Sequence, residues 1–138
     1  MRRVAIPLVT IAALVSVAIA YALTPSASGK VCGAKCKTLT SALAKSLAQR
    51  NGAFTNANAP KPAPYYRIVI KGHREGFITR TIIWVPSRKL WYDKEYVTPP
   101  LGGFWRTDQV SLRSKLKAFV RNLKPHAAPA KWSRVLPK

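Results

Sequence analysis

The hydrophobic pattern of the chain begins with one uninterrupted apolar run. Residues Val4 to Leu23 contain no charged side chain. Twenty residues of α-helix extend about 30 Å, which is the thickness of the hydrocarbon core of a bilayer. The run therefore predicts a transmembrane helix within residues 1–23, with the rest of the chain attached to a membrane.

The same run also fits a cleaved secretory signal peptide. Arg2 and Arg3 form a basic N-terminal region, and residues 18–20 (Ala-Ile-Ala) have the form of a cleavage site. Signal-peptide apolar regions usually contain only about 7–15 residues, which favours the uncleaved anchor. Lysine and arginine flank the run on both sides, so the positive-inside rule does not decide the orientation. The signal-like arrangement favours a single-pass protein with its soluble part on the extracytoplasmic side, whereas the positive charge of that part favours the side that carries nucleic acid or anionic lipid.

Two later segments have apolar residues at helical spacing, and the first covers residues 38–50. Leu39, Leu43 and Leu47 recur every four residues there, which predicts an amphipathic helix. Thr38 is the candidate N-cap, and the asparagine and glycine that follow Arg50 are a stop signal.

The second helix is predicted from Asp108 to Leu123 or Lys124, just before a proline. Its apolar stripe consists of Leu112, Leu116, Phe119, Val120 and Leu123. Four cations form a separate stripe: Arg113, Lys117, Arg121 and Lys124. Like charges four residues apart slightly destabilise a helix, so the stripe is either a solvated face or a surface that an acidic partner neutralises. It is the candidate binding site of the chain.

Between these helices the pattern alternates with a period of two. Residues 65–71, 77–85 and 90–97 are rich in β-branched and aromatic side chains and are separated by short turns. Short connections between consecutive strands predict an antiparallel meander. The predicted fold class is α+β: an N-terminal transmembrane helix followed by a small α-β-β-β-α domain with an antiparallel three-stranded sheet.

Composition suggests four divisions of the chain. After the anchor or signal peptide at 1–23, the small and polar residues 24–37 are a predicted flexible linker that carries both cysteines. Residues 38–124 are the predicted small basic domain, and residues 125–138 are a basic tail. Trp132 in the tail is expected to dock either on the domain or on a partner.

Charge is the most unusual property of the composition. The chain has 24 lysines and arginines, four aspartates and glutamates, and a formal net charge of +20. So large a charge makes an acidic partner a strong expectation. The predicted partners are the lipid bilayer, other subunits of a membrane or envelope assembly, and nucleic acid or anionic lipid headgroups.

The two cysteines, Cys32 and Cys36, are four residues apart. On a helical turn their Cα atoms would be about 6 Å apart, which is within disulfide range. A disulfide would fit an oxidising compartment, and two free thiols in a reducing one are the alternative. Two thiols without a nearby histidine do not form a four-ligand zinc site, so no metal site is predicted.

Aromatic residues interleaved with cations are the second candidate binding feature. Stacking on nucleic-acid bases requires exposed aromatic rings beside lysine or arginine. Trp91, Tyr92 and Trp105 have such neighbours and are candidate contacts, whereas Tyr66 and Trp84 are expected in the core.

The sequence contains no catalytic motif: no phosphate-binding glycine loop, nucleophile elbow or zinc-binding helix motif occurs. Asp93 and Glu95 share one face of the third predicted strand, where we expect ion pairs with Arg67, Arg80 or Lys71. We therefore expect a non-enzymatic protein without a cofactor.

Its predicted role is structural or accessory, in a membrane, envelope or virion assembly, through a cationic surface that binds an acidic partner. A membrane-tethered nucleic-acid-binding module and a secreted cationic effector are the alternatives.

Overall fold

An antiparallel sheet of six strands organises the protein, for which the computed structural model describes residues 26–49, 55–73, 77–96 and 103–138. The strands are β1 (Ser26–Cys32), β2 (Cys36–Thr38), β3 (Tyr66–His73), β4 (Phe77–Val85), β5 (Leu90–Tyr96) and β6 (Phe104–Thr107). The described residues also form helices α1 (Ser41–Ala48) and α2 (Val110–Phe119), with 3₁₀ turns at Pro86–Arg88 and Trp132–Arg134. The strand order across the sheet is β2-β1-β3-β4-β5-β6.

The prediction of a three-stranded sheet is wrong. The predicted strands correspond to β3, β4 and β5, and β4 has the predicted bounds. The sheet is larger because β1 and β2 add an antiparallel hairpin beside β3, and β6 pairs with β5. β1 and the start of β2 lie in the stretch interpreted as a flexible linker, where small and polar side chains give no alternating apolar pattern.

The predicted transmembrane segment lies outside the described residues. Among the residues that the structure does describe, no helix is both long enough and apolar enough to cross a bilayer. Their element order is β-β-α-β-β-β-β-α, which replaces the predicted α-β-β-β-α order.

Both helices pack on the same face of the sheet. The buried cluster on this face contains Val31, Leu39, Leu43, Ala44, Leu47, Tyr66, Ile68, Ile70, Ile82, Trp84, Trp91, Leu112, Leu116 and Val120. Burying a large aliphatic or aromatic side chain contributes about 1.5–3 kcal/mol, so this cluster is the main source of stability. The three leucines predicted to line the first helix are buried, but the helix begins later than predicted, so that Leu39 precedes it. Its N-cap is Thr40, whose hydroxyl accepts a hydrogen bond from the Leu43 N–H at 3.2 Å.

A second apolar cluster occupies the opposite face, beneath the C-terminal tail. Its buried members are Ala63, Tyr65, Ile83, Val85, Trp105 and Trp132. The Trp132 ring lies 5.1 Å from Trp105 and 5.8 Å from Tyr65, and its Nε1 donates a hydrogen bond to the Pro60 carbonyl at 2.7 Å. The tail therefore docks on the domain, which is one of the two outcomes that the sequence left open.

Helix α2 is shorter than predicted. It begins at Val110 after Gln109, and it ends at Phe119. Asp108 does not cap it, because the Asp108 carboxylate is bonded to the side chains of Trp84 and Arg113. The predicted apolar stripe is confirmed, since Leu112, Leu116 and Val120 are buried and Phe119 and Leu123 pack against them.

Candidate anion-binding surface

Both carboxylates whose side chains the structure describes are buried in ion pairs with arginine. Asp93 is 4% exposed and accepts hydrogen bonds from Arg80 Nε at 2.8 Å, Arg80 Nη2 at 2.6 Å and Arg106 Nη2. Asp108 is also 4% exposed and accepts from Arg113 Nε at 2.9 Å and Nη2 at 2.5 Å. The expected pairing of Asp93 with Arg80 is confirmed. As a result, the described part of the surface presents lysines and arginines but no aspartate or glutamate side chain.

The pair of arginines around Asp93 also encloses a tryptophan. The guanidinium carbons of Arg80 and Arg106 lie 5.5 Å and 5.4 Å from the Trp91 ring centroid. Arg80 Nη1 donates to the Leu47 carbonyl as well, which ties this network to α1. Trp91 is only 1% exposed, so the structure places this candidate aromatic contact in the core.

The other two candidate aromatic contacts belong to the cluster beneath the tail. Trp105 is buried, and half-buried Tyr92 packs edge-on against it at 5.5 Å. Tyr66 and Trp84 are buried on the helix face, as expected. Trp91, Tyr92 and Trp105 therefore do not form an exposed platform for base stacking.

A disulfide joins Cys32, the last residue of β1, to Cys36, the first residue of β2. The two cysteines are direct partners in the antiparallel register, with Cα atoms 4.0 Å apart. The bond is the predicted one, but it closes a β-hairpin rather than a helical turn. Because the loop is so short, the bond removes little entropy from the unfolded chain and acts mainly on the local geometry of the turn.

The turn of this hairpin docks on the segment that follows α2. The Ala34 N–H donates a hydrogen bond to the Lys124 carbonyl at 2.9 Å. A Cβ atom added at Gly33 would lie 2.0 Å from that same carbonyl oxygen, so the approach requires glycine. Lys37 Nζ donates to the Phe119 carbonyl at 3.0 Å and lies 4.2 Å from the Phe119 ring centroid. This cation at a helix C-terminus is stabilised by the helix dipole, by about 0.3–1 kcal/mol.

These contacts gather cations from two distant segments into one patch, which we name the hairpin–helix surface. It consists of Lys35, Lys37, Lys117, Arg121 and Lys124, all of them exposed. The hairpin supplies the first two residues, the last turn of α2 supplies the third, and the turn after α2 supplies the last two. Three members of the predicted cationic stripe are therefore in this patch.

Arg113, the fourth residue of the predicted stripe, has a different environment. It is bonded to Asp108, and these hydrogen bonds raise the pKa of its guanidinium above the usual value. Sequence reasoning did not find Lys35 and Lys37, because their place in the surface depends on a contact between residues 34 and 124. In the sequence, the one local indication of this contact is Gly33, the glycine between the two cysteines.

The chemistry available at the hairpin–helix surface is electrostatic. Lysine presents a compact charge with three donors, and arginine presents a planar fork that pairs with two oxygens of a phosphate, sulfate or carboxylate. Mutual repulsion between such exposed cations is weak in water and decays over a Debye length of about 8–10 Å. A ligand with several negative charges would relieve all of these repulsions together.

Comparisons with protein families, curated proteins and solved structures give no match to this chain. A function is therefore proposed from the charges, burial and contacts described above.

Proposed function

We propose that this chain is a non-enzymatic, membrane-attached accessory protein whose domain binds an acidic partner through the hairpin–helix surface. The observation that carries the proposal is an asymmetry of charge. The surface exposes five cations, while both carboxylates with described side chains are buried in arginine pairs. Attachment to a membrane is proposed from the apolar run at residues 4–23.

The disulfide supports an extracytoplasmic location for the domain. Bonds of this kind persist in oxidising compartments and are rare in the cytosol. Cys32 and Cys36 also hold the hairpin turn that carries Lys35, so the same bond contributes to the binding surface.

The backbone beneath the hairpin–helix surface is held in place before any partner arrives. The disulfide, the hydrogen bond from Ala34 to Lys124 and the close approach of Gly33 fix the two segments relative to one another. Preorganisation of this kind lowers the entropy cost of binding, because only side chains remain to be ordered. Cations on a merely solvated face would gain nothing from it.

The two alternatives predicted from the sequence have different support. A module that reads nucleic-acid bases by stacking is disfavoured, because Trp91 and Trp105 are buried and Tyr92 is half-buried. A secreted cationic effector would use the same surface and would differ only in the fate of residues 1–23. Intact mass of the native protein in membrane and soluble fractions separates that alternative from a membrane-attached protein.

The proposal is tested with the full-length chain in neutral detergent on a heparin column. The test variant carries K35E, R121E and K124E. The control variant carries K61E, R88E and K115E, at exposed positions that are not part of the hairpin–helix surface. Each set reverses three charges, so both lower the formal net charge from +20 to +14, that is by three times two. We expect the test variant to elute at much lower salt than the control, with thermal melts showing that both remain folded. Equal elution of the two variants would mean that total charge, not this surface, determines binding.

A further inference from the structure

The hairpin–helix surface lacks large exposed apolar side chains as well as acids. The large hydrophobic side chains exposed in the described residues are Phe104 and Val110. Val110 is at the opposite end of α2 from this surface, and Phe104 is on β6, at the other side of the sheet from β2. Proteins that bind a bilayer surface usually insert apolar side chains below the headgroups. A surface with cations and no large exposed apolar side chain fits a ligand that is recognised by charge.

The position of the surface also argues against the headgroups of the protein's own membrane. The apolar run ends at Leu23, three positions before β1 begins at Ser26. The hairpin begins at the other end of β1, at Cys32, and six residues of strand extend about 20 Å. In a membrane-attached chain whose strand β1 runs away from the bilayer, the surface would lie about two Debye lengths from the headgroups.

The arrangement of the cations suits a ligand with repeated charges. Five cations are distributed over a hairpin turn, the end of a helix and the turn that follows it. A small anion would be held by only one or two of them. A phosphate-linked polymer, in contrast, carries one negative charge about every 3–4 Å of each strand and would engage several cations at once.

We infer that the ligand of the hairpin–helix surface is a linear phosphate-rich polyanion, bound through its charges alone, without preference for bases and in place of bilayer headgroups. This inference rests on the proposed function of that surface and specifies the class of its ligand. It has a quantitative signature, because a bound phosphate releases condensed counterions. For single strands, the logarithm of the binding constant falls with the logarithm of salt concentration by about 0.7 per neutralised phosphate. Five cations give a slope of about −3.5, and reversal of three of them makes it shallower by about 2.

The test uses full-length protein in nanodiscs of neutral lipid, with fluorescence anisotropy of labelled oligo-dT, oligo-dC and inorganic polyphosphate across a salt series. We expect the two oligonucleotides to bind equally and the slope to be near the value above. The K35E/R121E/K124E variant should lose at least about tenfold in affinity at physiological salt and show the shallower slope. Binding to only one of the oligonucleotides, no binding to any of the three polymers, or a flat salt dependence would overturn the inference.

A second arm repeats the oligo-dT measurement in nanodiscs that contain anionic lipid. The expected affinity is within about twofold of that in neutral nanodiscs, since headgroup charge at about 20 Å is strongly screened. Loss of oligo-dT binding in anionic nanodiscs would mean that headgroups occupy the surface, and would overturn the inference.

The two proposals fail in different ways. If the triple variant matches its K61E/R88E/K115E control on heparin, the proposed function itself fails. If the heparin result holds but bases discriminate or lipid competes, only the ligand class is wrong.

Discussion

The ion-pair network around Asp93 gives the sharpest prediction for stability. Asp93 lies between Arg80 and Arg106, and all three side chains are buried on the helix face of the sheet. The substitution Asp93→Asn keeps the size and shape of the side chain but removes its charge. Two buried guanidinium groups would then lose the carboxylate that accepts their hydrogen bonds.

The expected cost follows from how completely the pair is removed from water. Deleting one partner of a buried ion pair typically destabilises a protein by about 3–5 kcal/mol, because the remaining charge stays buried without compensation. The second described carboxylate supplies a matched comparison. Asp108 has one arginine partner, Arg113, whose side chain is 22% exposed and remains partly hydrated after Asp108→Asn. We therefore expect Asp108→Asn to cost less, about 1–3 kcal/mol.

Chemical denaturation of the full-length wild type and the two variants, followed by tryptophan fluorescence, measures both losses. For a domain of this size, each kcal/mol lost from the free energy of unfolding lowers the melting temperature by about 4 °C. Asp93→Asn should therefore lower the melting temperature by roughly 12–20 °C. Combining it with Arg106→Met should cost less than the sum of the single changes, because the second change removes one uncompensated cation. A loss below about 1 kcal/mol for Asp93→Asn, or a loss no larger than that of Asp108→Asn, would refute this account of the network.

Three further predictions follow from the hairpin, the helix face and the tail. Replacing Cys32 and Cys36 by serine, or reducing the wild type, should lower the salt concentration of heparin elution toward that of the triple-reversal variant. The melting temperature should change little, because the disulfide closes only a short loop. Unchanged elution would contradict a role of the hairpin in binding. Burial raises the pKa of the Tyr66 phenol above its usual value. The native state therefore holds that proton more tightly than the unfolded state, so the stability it contributes is complete below about pH 10 and is lost as the pH rises further. Denaturant midpoints measured across that pH range should fall less steeply for Tyr66→Phe than for the wild type. Parallel curves for the two proteins would exclude Tyr66 as a source of the pH dependence. Trp132→Ala should cost about 3–5 kcal/mol and make the tail a protease-sensitive segment, whereas an unaltered digestion pattern would show that the tail is held by other contacts.

The sequence predicted the centre of the sheet well, for a physical reason. Strands β3 and β4 carry large apolar side chains on the helix face. Ile68 and Ile70 are two residues apart on β3, and Ile82 and Trp84 are two residues apart on β4. The period of two is visible wherever a strand contributes side chains to a core. Asp93 was expected to pair with Arg67, Arg80 or Lys71, and Arg80 is the one of the three that lies on the same face of the sheet.

The added strands were not predictable from hydrophobicity because they contribute backbone more than side chains. On β1, Val31 is the one large apolar residue, and the neighbouring position on the same face is Gly29. A Cβ atom at Gly29 would lie 2.5 Å from the Val69 carbonyl oxygen and 2.9 Å from Leu39 Cδ1. Strand β1 fits beneath α1 because Gly29 has no side chain. A strand with so few apolar side chains shows no alternating apolar pattern in the sequence. The three residues of β2 are all exposed and likewise carry no such signal.

The candidate surface was predictable only in part. Helical periodicity identified Lys117, Arg121 and Lys124 but extended the helix too far and included Arg113, which pairs with Asp108. The contribution of the hairpin depends on a backbone hydrogen bond across ninety positions, from residue 34 to residue 124. Local patterns contain no information about such a contact.

The late position of Trp132 in the chain has a consequence for how the protein is made. A chain that leaves a ribosome or a membrane channel N-terminus first presents Trp105 a full 27 positions (132 minus 105) before the residue that covers it. At about 5–20 residues per second, this interval lasts about 1–5 s, far longer than hydrophobic collapse. The last buried residue of the cluster on the helix face is Val120, so this cluster can form before Trp132 emerges. This order predicts that the helix face closes before the tail covers Trp105, and that a holding chaperone would meet the chain while this aromatic face is uncovered.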